Sequence, residues 1–391
     1  DALPEIQDFI GDTIILGQNI KFDLGFFEKY RAFRFNETID TYEIAAVIMP
    51  SAPRYGLGAL ARQLGVILTN AHRALDDARA TMQVYQQLQK LIEELPVELV
   101  AEILRLSKGI GWQGELPFRW ALAAMSARGI QPRVAGNDQD NLFINLERAA
   151  KTKPLLPNEH LEAIDCEELA ALLEPGGVFA KHNQGFEHRA QQVEMLRSVC
   201  QALNRGDHLM VEAGTGTGKS LAYLIPAACW AMQNNERVVI STNTIALQDQ
   251  LINKDVPDLI EALNIDLRAA VLKGRNNYLC PRRLRLMRRR GPENVDELRV
   301  LGKILVWLQG SNSGDRREIN LNGAVERMVW SRLSAEDDAC SLENCVRRMG
   351  GVCPFYKARM AAESAHILVV NHALLLADAA VENQVLPEYN Y

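Results

Sequence analysis

No stretch of this 391-residue sequence is apolar for long enough to cross a bilayer, and its first residues lack the basic, apolar and small-residue order of a secretory signal. A membrane-embedded or exported protein is therefore not expected, and the cytoplasm is the expected location. Positive charge is not in excess either. Lys and Arg number 43 against 49 Asp and Glu, a net charge of -6, which excludes wholesale coating of nucleic acid and leaves any such contact to a local basic patch. Cysteine is scarce, with 7 in the chain. Cys166, Cys200 and Cys229 stand singly in apolar or helical contexts and read as inert core residues. Cys280, Cys340, Cys345 and Cys353 fall late in the chain, three of them close together, and in a reducing compartment such a group reads as metal-binding before disulfide-forming. The length itself is enough for two or three domains, each with its own core.

What is present centres on Glu212-Ala213-Gly214-Thr215-Gly216-Thr217-Gly218-Lys219-Ser220. The apolar run His208-Leu209-Met210-Val211 before it predicts a strand, and Leu221 to Ile225 after it predicts a helix. A strand that opens through small residues into a helix leaves backbone N–H groups free to converge on a phosphate at the positive end of the helix dipole. Lys219 then supplies a point charge for the β- and γ-phosphates of ATP, and the Ser220 hydroxyl can sit on Mg²⁺. The usual pattern has Gly six residues before the Lys, where this chain has Ala213, giving A-x-x-x-x-G-K-S. The competing reading is a Gly-rich turn with a surface lysine.

Residues 1 to about 95 alternate short apolar runs, such as Thr13 to Leu16, with helical periodicity, most clearly from Ala74 to Leu91, and so predict an α/β domain. Two constellations stand out, Gly17-Gln18-Asn19-Ile20-Lys21-Phe22-Asp23 and His72-Arg73-Ala74-Leu75-Asp76-Asp77-Ala78. The second puts a histidine at a helix entrance and a carboxylate one turn in. Asp23 and Asp77 could hold a divalent metal while His72 deprotonates an attacking water, as two-metal phosphodiester hydrolysis requires; the plainer reading is that His72 and Asp77 cap a helix. Here the sequence resembles the proofreading-type DEDDh 3′→5′ exonucleases, for which G-x-N-x-x-F-D and H-x-A-x-x-D-A are the second and third motifs. The first, D-x-E, would lie before Asp1; with no Met at the start and with Leu386 to Tyr391 reading as the approach to a strand, both chain ends read as cut. Two of the four carboxylates that the resemblance implies are then outside the chain.

From Pro96 to about Pro175 the signal is weaker, with helices expected at Glu98–Ser107, Phe118–Arg128 and Cys166–Leu173, Trp112 and Trp120 packing between the first two, and breakers elsewhere: a connector with little chemistry. Just upstream of the phosphate loop, Phe186, Arg189 and Gln192 could stack on and hydrogen-bond an adenine. Downstream, Arg237–Thr242 and Ala269–Leu272 read as strands and Ala246–Leu251 as the start of a helix, so a parallel sheet of the RecA-like type is predicted. Thr242-Asn243-Thr244 would end a strand where ligands bind in such sheets, and their short polar side chains suit DNA phosphates. An insertion from Lys273 to about Ser364 opens with Cys280 and the run Arg282-Arg283-Leu284-Arg285-Leu286-Met287-Arg288-Arg289-Arg290. The cysteine spacings are too loose for a zinc knuckle and favour a 4Fe-4S cluster over Zn²⁺, with unligated thiols third. The arginines are either a solvated face or a track for single-stranded DNA. A buried strand at Ile367–Val370 resumes the sheet.

Taken together, the Arg189/Gln192 motif, E-A-G-T-G-T-G-K-S, S-T-N-T-x-x-L-Q-x-Q-L, K-G-R-N-N-Y-L-C, the later cysteines and V-V-N-H-A-L-L-L-A-D resemble a DinG-family, XPD-like superfamily 2 DNA helicase from about Gly176 onward. The resemblance implies ATP-driven 5′→3′ translocation on single-stranded DNA, unwinding at duplex junctions, an iron–sulfur domain beside the strand-separating pore, and work in DNA repair or replication, with a monomer expected. Its D-E-A-H motif would lie past Tyr391, so little ATP hydrolysis is expected from these residues alone. The expected layout is an exonuclease-like domain of RNase H-like α/β fold over 1–95, a helical connector over 96–175 and a first RecA-like motor domain over 176–391 with the insertion at about 273–364. The alternatives are a nuclease whose ATP-binding part clamps DNA, and a non-catalytic metal-stabilised DNA-binding module.

Overall fold

The computed structural model describes residues 2–68, 73–132, 146, 153–182, 185–311, 313–336, 340, 352–380 and 386–387. The chain divides into two compact units, one of residues 1–147 and 276–340, the other of residues 148–275 and 341–391. Both mix helix and strand, so the α/β class expected from the sequence is what folds.

In the first unit, β1 (Ile15–Gly17) and β2 (Thr38–Asp40) pair in parallel, Ile15 opposite Thr38 and Gly17 opposite Asp40. Helix Thr41–Ile48 leaves β2 at once and is buried along almost its whole length, because Ile44, Ala45, Ala46 and Val47 cover its circumference. It packs against helix Ala74–Glu93 and against helix Val295–Trp307 from the insertion. Gly302 permits the second contact, since a Cβ there would stand 3.1 Å from the Val47 side chain. Helices Val97–Ser107 and Glu115–Ala127, expected to belong to a connector, pack within this unit. Trp112 is buried against Phe118, ring centroids 5.4 Å apart, whereas Trp120 keeps 40% of its surface exposed.

In the second unit, β3 (Val238–Thr242), β5 (Ile367–Asn371) and β4 (Ala269–Val271) form a parallel sheet in the order β3-β5-β4. Ile367, Leu368, Val369 and Val370 are all fully buried, as a central parallel strand requires. Helices Ala190–Arg205 and Lys219–Asn234 lie together and contribute Leu196, Leu224, Ile225 and Ala228 to the core. The run His208–Val211 does not form the strand expected of it. It pairs with none of the three strands, and Met210 is 98% exposed. Apolar side chains alone do not make a strand when no neighbour takes the main-chain N–H and C=O groups. Cys166 and Cys200, expected as inert core thiols, instead form a disulfide between helix Cys166–Ala171 and helix Ala190–Arg205.

Candidate functional site

The phosphate loop is open and self-contained. Helix Lys219–Asn234 starts at the lysine, and Gly216 and Gly218 hold positive φ, +82° and +78°, which side chains rarely tolerate. Ala213 has no such requirement, and this explains how alanine can occupy the first position of the motif. The Lys219 ammonium folds back, Nζ donating to the carbonyls of Ala213 at 2.8 Å and Gly214 at 3.3 Å, while Thr217 donates to Gly214 at 3.0 Å. These are exchangeable bonds. An arriving phosphate offers the ammonium a stronger, charge-assisted partner. Gly214 and Thr215 are exposed and Ser220 is half-buried.

Gln192, buried on helix Ala190–Arg205, donates from Nε2 to the Gly218 carbonyl at 2.7 Å. It braces the loop from behind, and a Cβ at Gly218 would collide with that amide at 2.2 Å. Arg189, expected beside it on a base, is partly exposed and bonded to Glu187 at 3.0 Å. A cavity of about 470 Å³ adjoins the loop, lined by Phe179, His182, Phe186, Ser220, Lys254 and Asp258 among others. It is of the size small-ligand sites occupy. Its Lys254 and Asp255 belong to a π-helical turn, Leu251–Asp255, where Gln250 holds Asp255 at 3.1 Å. Of the strand-end hydroxyls expected to meet DNA, Thr242 donates to the Thr244 carbonyl and Thr244 caps Leu247 N–H.

Of the exonuclease-type residues, Asp23 is exposed on the short helix Ile20–Gly25, and Asp77 is half-buried in the first turn of helix Ala74–Glu93. His72 lies outside the described residues. Among the described residues, no three His, Cys, Asp or Glu side chains gather closely enough to hold a metal ion. What orders this region is Asp40, which the sequence reading missed. Buried at the end of β2, its Oδ1 accepts from Asn19 N–H at 2.8 Å and Tyr42 N–H at 2.9 Å, and its Oδ2 from Ile20 N–H at 3.1 Å. One carboxylate thus starts both the helix that carries Asp23 and helix Thr41–Ile48. Burial pushes its carboxyl up despite those bonds. The signal available was an Asp directly before an apolar helical run, a helix-start pattern.

Buried ion pairs tie the insertion into the same unit. Arg299 meets Glu43 at 2.8 Å, and Glu43 also accepts from Trp112 Nε1 at 3.1 Å. Lys303, fully buried, bonds Glu326 at 2.8 Å and the Asn320 carbonyl at 3.2 Å. Arg288 meets Glu102 at 2.9 Å, joined there by Arg105. Although burial opposes it, the guanidinium groups of Arg105 and Arg288 hold the Glu102 carboxyl below the usual glutamate range. The arginine run, expected as a solvated face or a DNA track, is divided: Arg289 and Arg290 are exposed, and Arg282, Arg283 and Arg285 are half-buried. Arg288 is interior, and Arg290 pairs with Glu293 and Glu297. The run is amphipathic on helix Pro281–Arg290, so one part of it faces the unit.

Cys280 and Cys353 are buried and each immediately precedes a proline-led helix, Pro281–Arg290 and Pro354–Glu363. Burial pushes the Cys280 thiol up, and the main-chain N–H groups of Arg283 and Arg282 work against that by favouring the thiolate; the charge of Cys340 raises it further. Cys340 is half-buried. Cys345 lies outside the described residues. Among the described residues the sulfurs of Cys280, Cys340 and Cys353 do not form a group that could hold a metal ion. Cys229, which burial pushes up to about 11, is the inert thiol the sequence suggested.

Residues 1–85 match the Exonuclease family and residues 192–285 the DEAD/DEAH box helicase family. The chain is 28% identical to a protein of Bacillus subtilis (strain 168) named 3'-5' exonuclease DinG, across 98% of this chain and 41% of that protein. It is also 28% identical to one of the same name from Staphylococcus aureus (strain USA300), across 97% and 40%. The chain spans about two-fifths of the length of these curated relatives. Among the described residues no helix is long and apolar enough to cross a membrane.

Proposed function

We propose that the chain, which is similar to proteins named 3'-5' exonuclease DinG and matches an exonuclease family and a DEAD/DEAH box helicase family in turn, is part of an ATP-dependent DNA helicase. The motor runs 5′→3′ on single-stranded DNA and opens duplex junctions, as a cytoplasmic monomer serving DNA repair or replication. The observation that carries this reading is the phosphate loop. Exposed residues around two left-handed glycines, a helix beginning at Lys219 and a buried Gln192 brace are what a polyphosphate needs. ATP binds with its phosphates on Ala213, Gly214, Thr215, Gly216, Thr217, Gly218, Lys219 and Ser220, Mg²⁺ on Ser220, and its base toward Phe186 and Arg189. Cys280, Cys340, Cys345 and Cys353 hold a 4Fe-4S cluster, which when bound would fasten the start of helix Pro281–Arg290. Brown protein with broad visible absorbance after anaerobic purification is the expected result; colourless, zinc-loaded protein overturns that assignment.

A second reading is favoured by the name the curated relatives carry, 3'-5' exonuclease. In it, Asp23, Asp77 and His72 belong to a working metal-dependent nuclease, and the ATP-binding part clamps DNA. Digestion of a 3′ end by the full-length protein in Mn²⁺, with and without ATP, separates the two. Digestion indifferent to ATP, together with no unwinding, supports the nuclease and sinks the motor. ATP-dependent strand displacement by the wild type, lost in Lys219→Ala, supports the motor.

A further inference from the structure

At the carboxyl edge of the three-stranded sheet, Ser241 near the end of β3 and His372 just after β5 meet side by side, Ser241 Oγ lying 2.7 Å from His372 Nδ1. The contact is set by register, because β3 and β5 are parallel neighbours with Thr242 opposite Asn371. We propose that this pair is a contact site for the DNA backbone, with His372 donating from Nε2 to a phosphate oxygen and Ser241 fixing the ring. The inference rests on the DNA-motor reading above and names one of its contacts.

A phosphodiester can only accept, so it selects the tautomer in which Ser241 O–H donates to Nδ1 and the ring proton sits on Nε2. The imidazole is exposed, and Nε2 has no partner among the described residues. The neighbouring polar groups are mostly taken up in shaping the chain. Thr242 donates to the Thr244 carbonyl, Asn371 accepts from Leu374 N–H at 2.7 Å, and Thr244 accepts from Leu247 N–H. The Ser241–His372 pair performs no such capping, yet it is held in one orientation at the edge where parallel α/β sheets bind ligands. The nucleotide's phosphates have their own cradle in residues 213–220. A single fixed donor suits instead a monoanionic phosphate that repeats along a strand and must be released at each step.

The test uses the full-length protein, a labelled oligo-dT and, separately, a fluorescent ATP analogue. His372→Ala is expected to weaken oligo-dT binding about tenfold, the loss of one hydrogen bond to a charged group. Ser241→Ala should lose less, and His372→Gln, which keeps an N–H donor, should recover part of the loss. An oligo-dT with uncharged methylphosphonate linkages should bind wild type and His372→Ala alike. Equal oligo-dT affinity for wild type and His372→Ala overturns the inference alone. A matching loss of ATP-analogue affinity also overturns it, by moving the pair to the nucleotide. Wild-type protein that binds no oligo-dT overturns the motor reading itself.

Discussion

The phosphate loop and the nuclease-like segment around Asp40 are stabilised in opposite ways. The loop is exposed, and Gln192 braces it from the neighbouring helix; Lys219 bonds carbonyls five and six residues away. Around Asp40 and Glu43 the polar groups are buried and their partners are remote in sequence: Asn19 is 21 residues from Asp40, and Arg299 is 256 from Glu43. A loop that exchanges its own weak bonds for a ligand's should be expendable for folding and indispensable for binding. A buried charge network should be the reverse, because each removed partner leaves an uncompensated charge in the interior.

The largest expected effect is on the loop. Lys219→Ala in the full-length protein should abolish measurable nucleotide binding while leaving the melting temperature almost unchanged, since the ammonium touches only exposed carbonyls. Equilibrium titration with a fluorescent ATP analogue checks this, and retained binding would contradict the phosphate-loop assignment. Next is Glu102→Ala, which removes the carboxylate that Arg288 and Arg105 share in the interior and should cost about 3–5 kcal/mol of stability. Denaturant unfolding measures it. A loss below 1 kcal/mol would mean that the Glu102–Arg288 pair is solvated, and the contrast between the two regions would collapse.

Asp40→Ala should follow at about 2 kcal/mol, because three main-chain N–H groups lose one acceptor and two helices lose their start. Asp40→Asn should restore only part of this: its carbonyl can serve Asn19 and Tyr42, but its amide then faces Ile20 N–H. Full recovery by Asn would show that the second oxygen is idle.

How much of this could be read from residues alone follows from the reach of each interaction. The phosphate loop, helix Ala74–Glu93 and the parallel strands β3, β4 and β5 are written in consecutive residues, and their patterns survive folding with shifts of a residue or two at the ends. Met210 shows the limit of that approach, since an apolar run predicts a strand only if a neighbour exists to pair with it. Arg288 shows the converse limit. Nothing near position 288 in sequence announces Glu102, so an interior ion pair looks like a basic surface. Asp40 was within reach as a helix start, but its second role, capping the turn at Asn19, depends on the β1–β2 register.

Acid should sharpen the contrast further. Glu102 and Glu326 are held below the ordinary glutamate value of 4.5, against the pull of burial, by Arg105 and Arg288 and by Lys303 respectively. A lowered native pKa contributes stability that is complete above the unfolded value and is lost as pH falls through the native one. Asp40 and Glu43 are raised by burial and act with the opposite sign, losing stability as pH rises through the window above their ordinary values. Unfolding midpoints taken below pH 4.5 should therefore fall in the wild type and fall less steeply in Glu102→Gln. Parallel slopes would mean that Glu102 is not held by its arginines.

The smallest effect is expected at Arg189. Its pair with Glu187 is partly exposed, and such pairs contribute roughly 0–1 kcal/mol, so Arg189→Ala should leave stability almost unchanged. Its value lies in binding. If the nucleobase occupies the cavity beside Phe186, the guanidinium exchanges Glu187 for the base, and affinity for ATP should fall several-fold while affinity for inorganic triphosphate, which has no base, stays the same. Equal losses for both ligands would place Arg189 on the phosphates instead. No loss for either would leave it as a surface ion pair, and the base would then have to be held by Phe186 and the walls of the cavity alone.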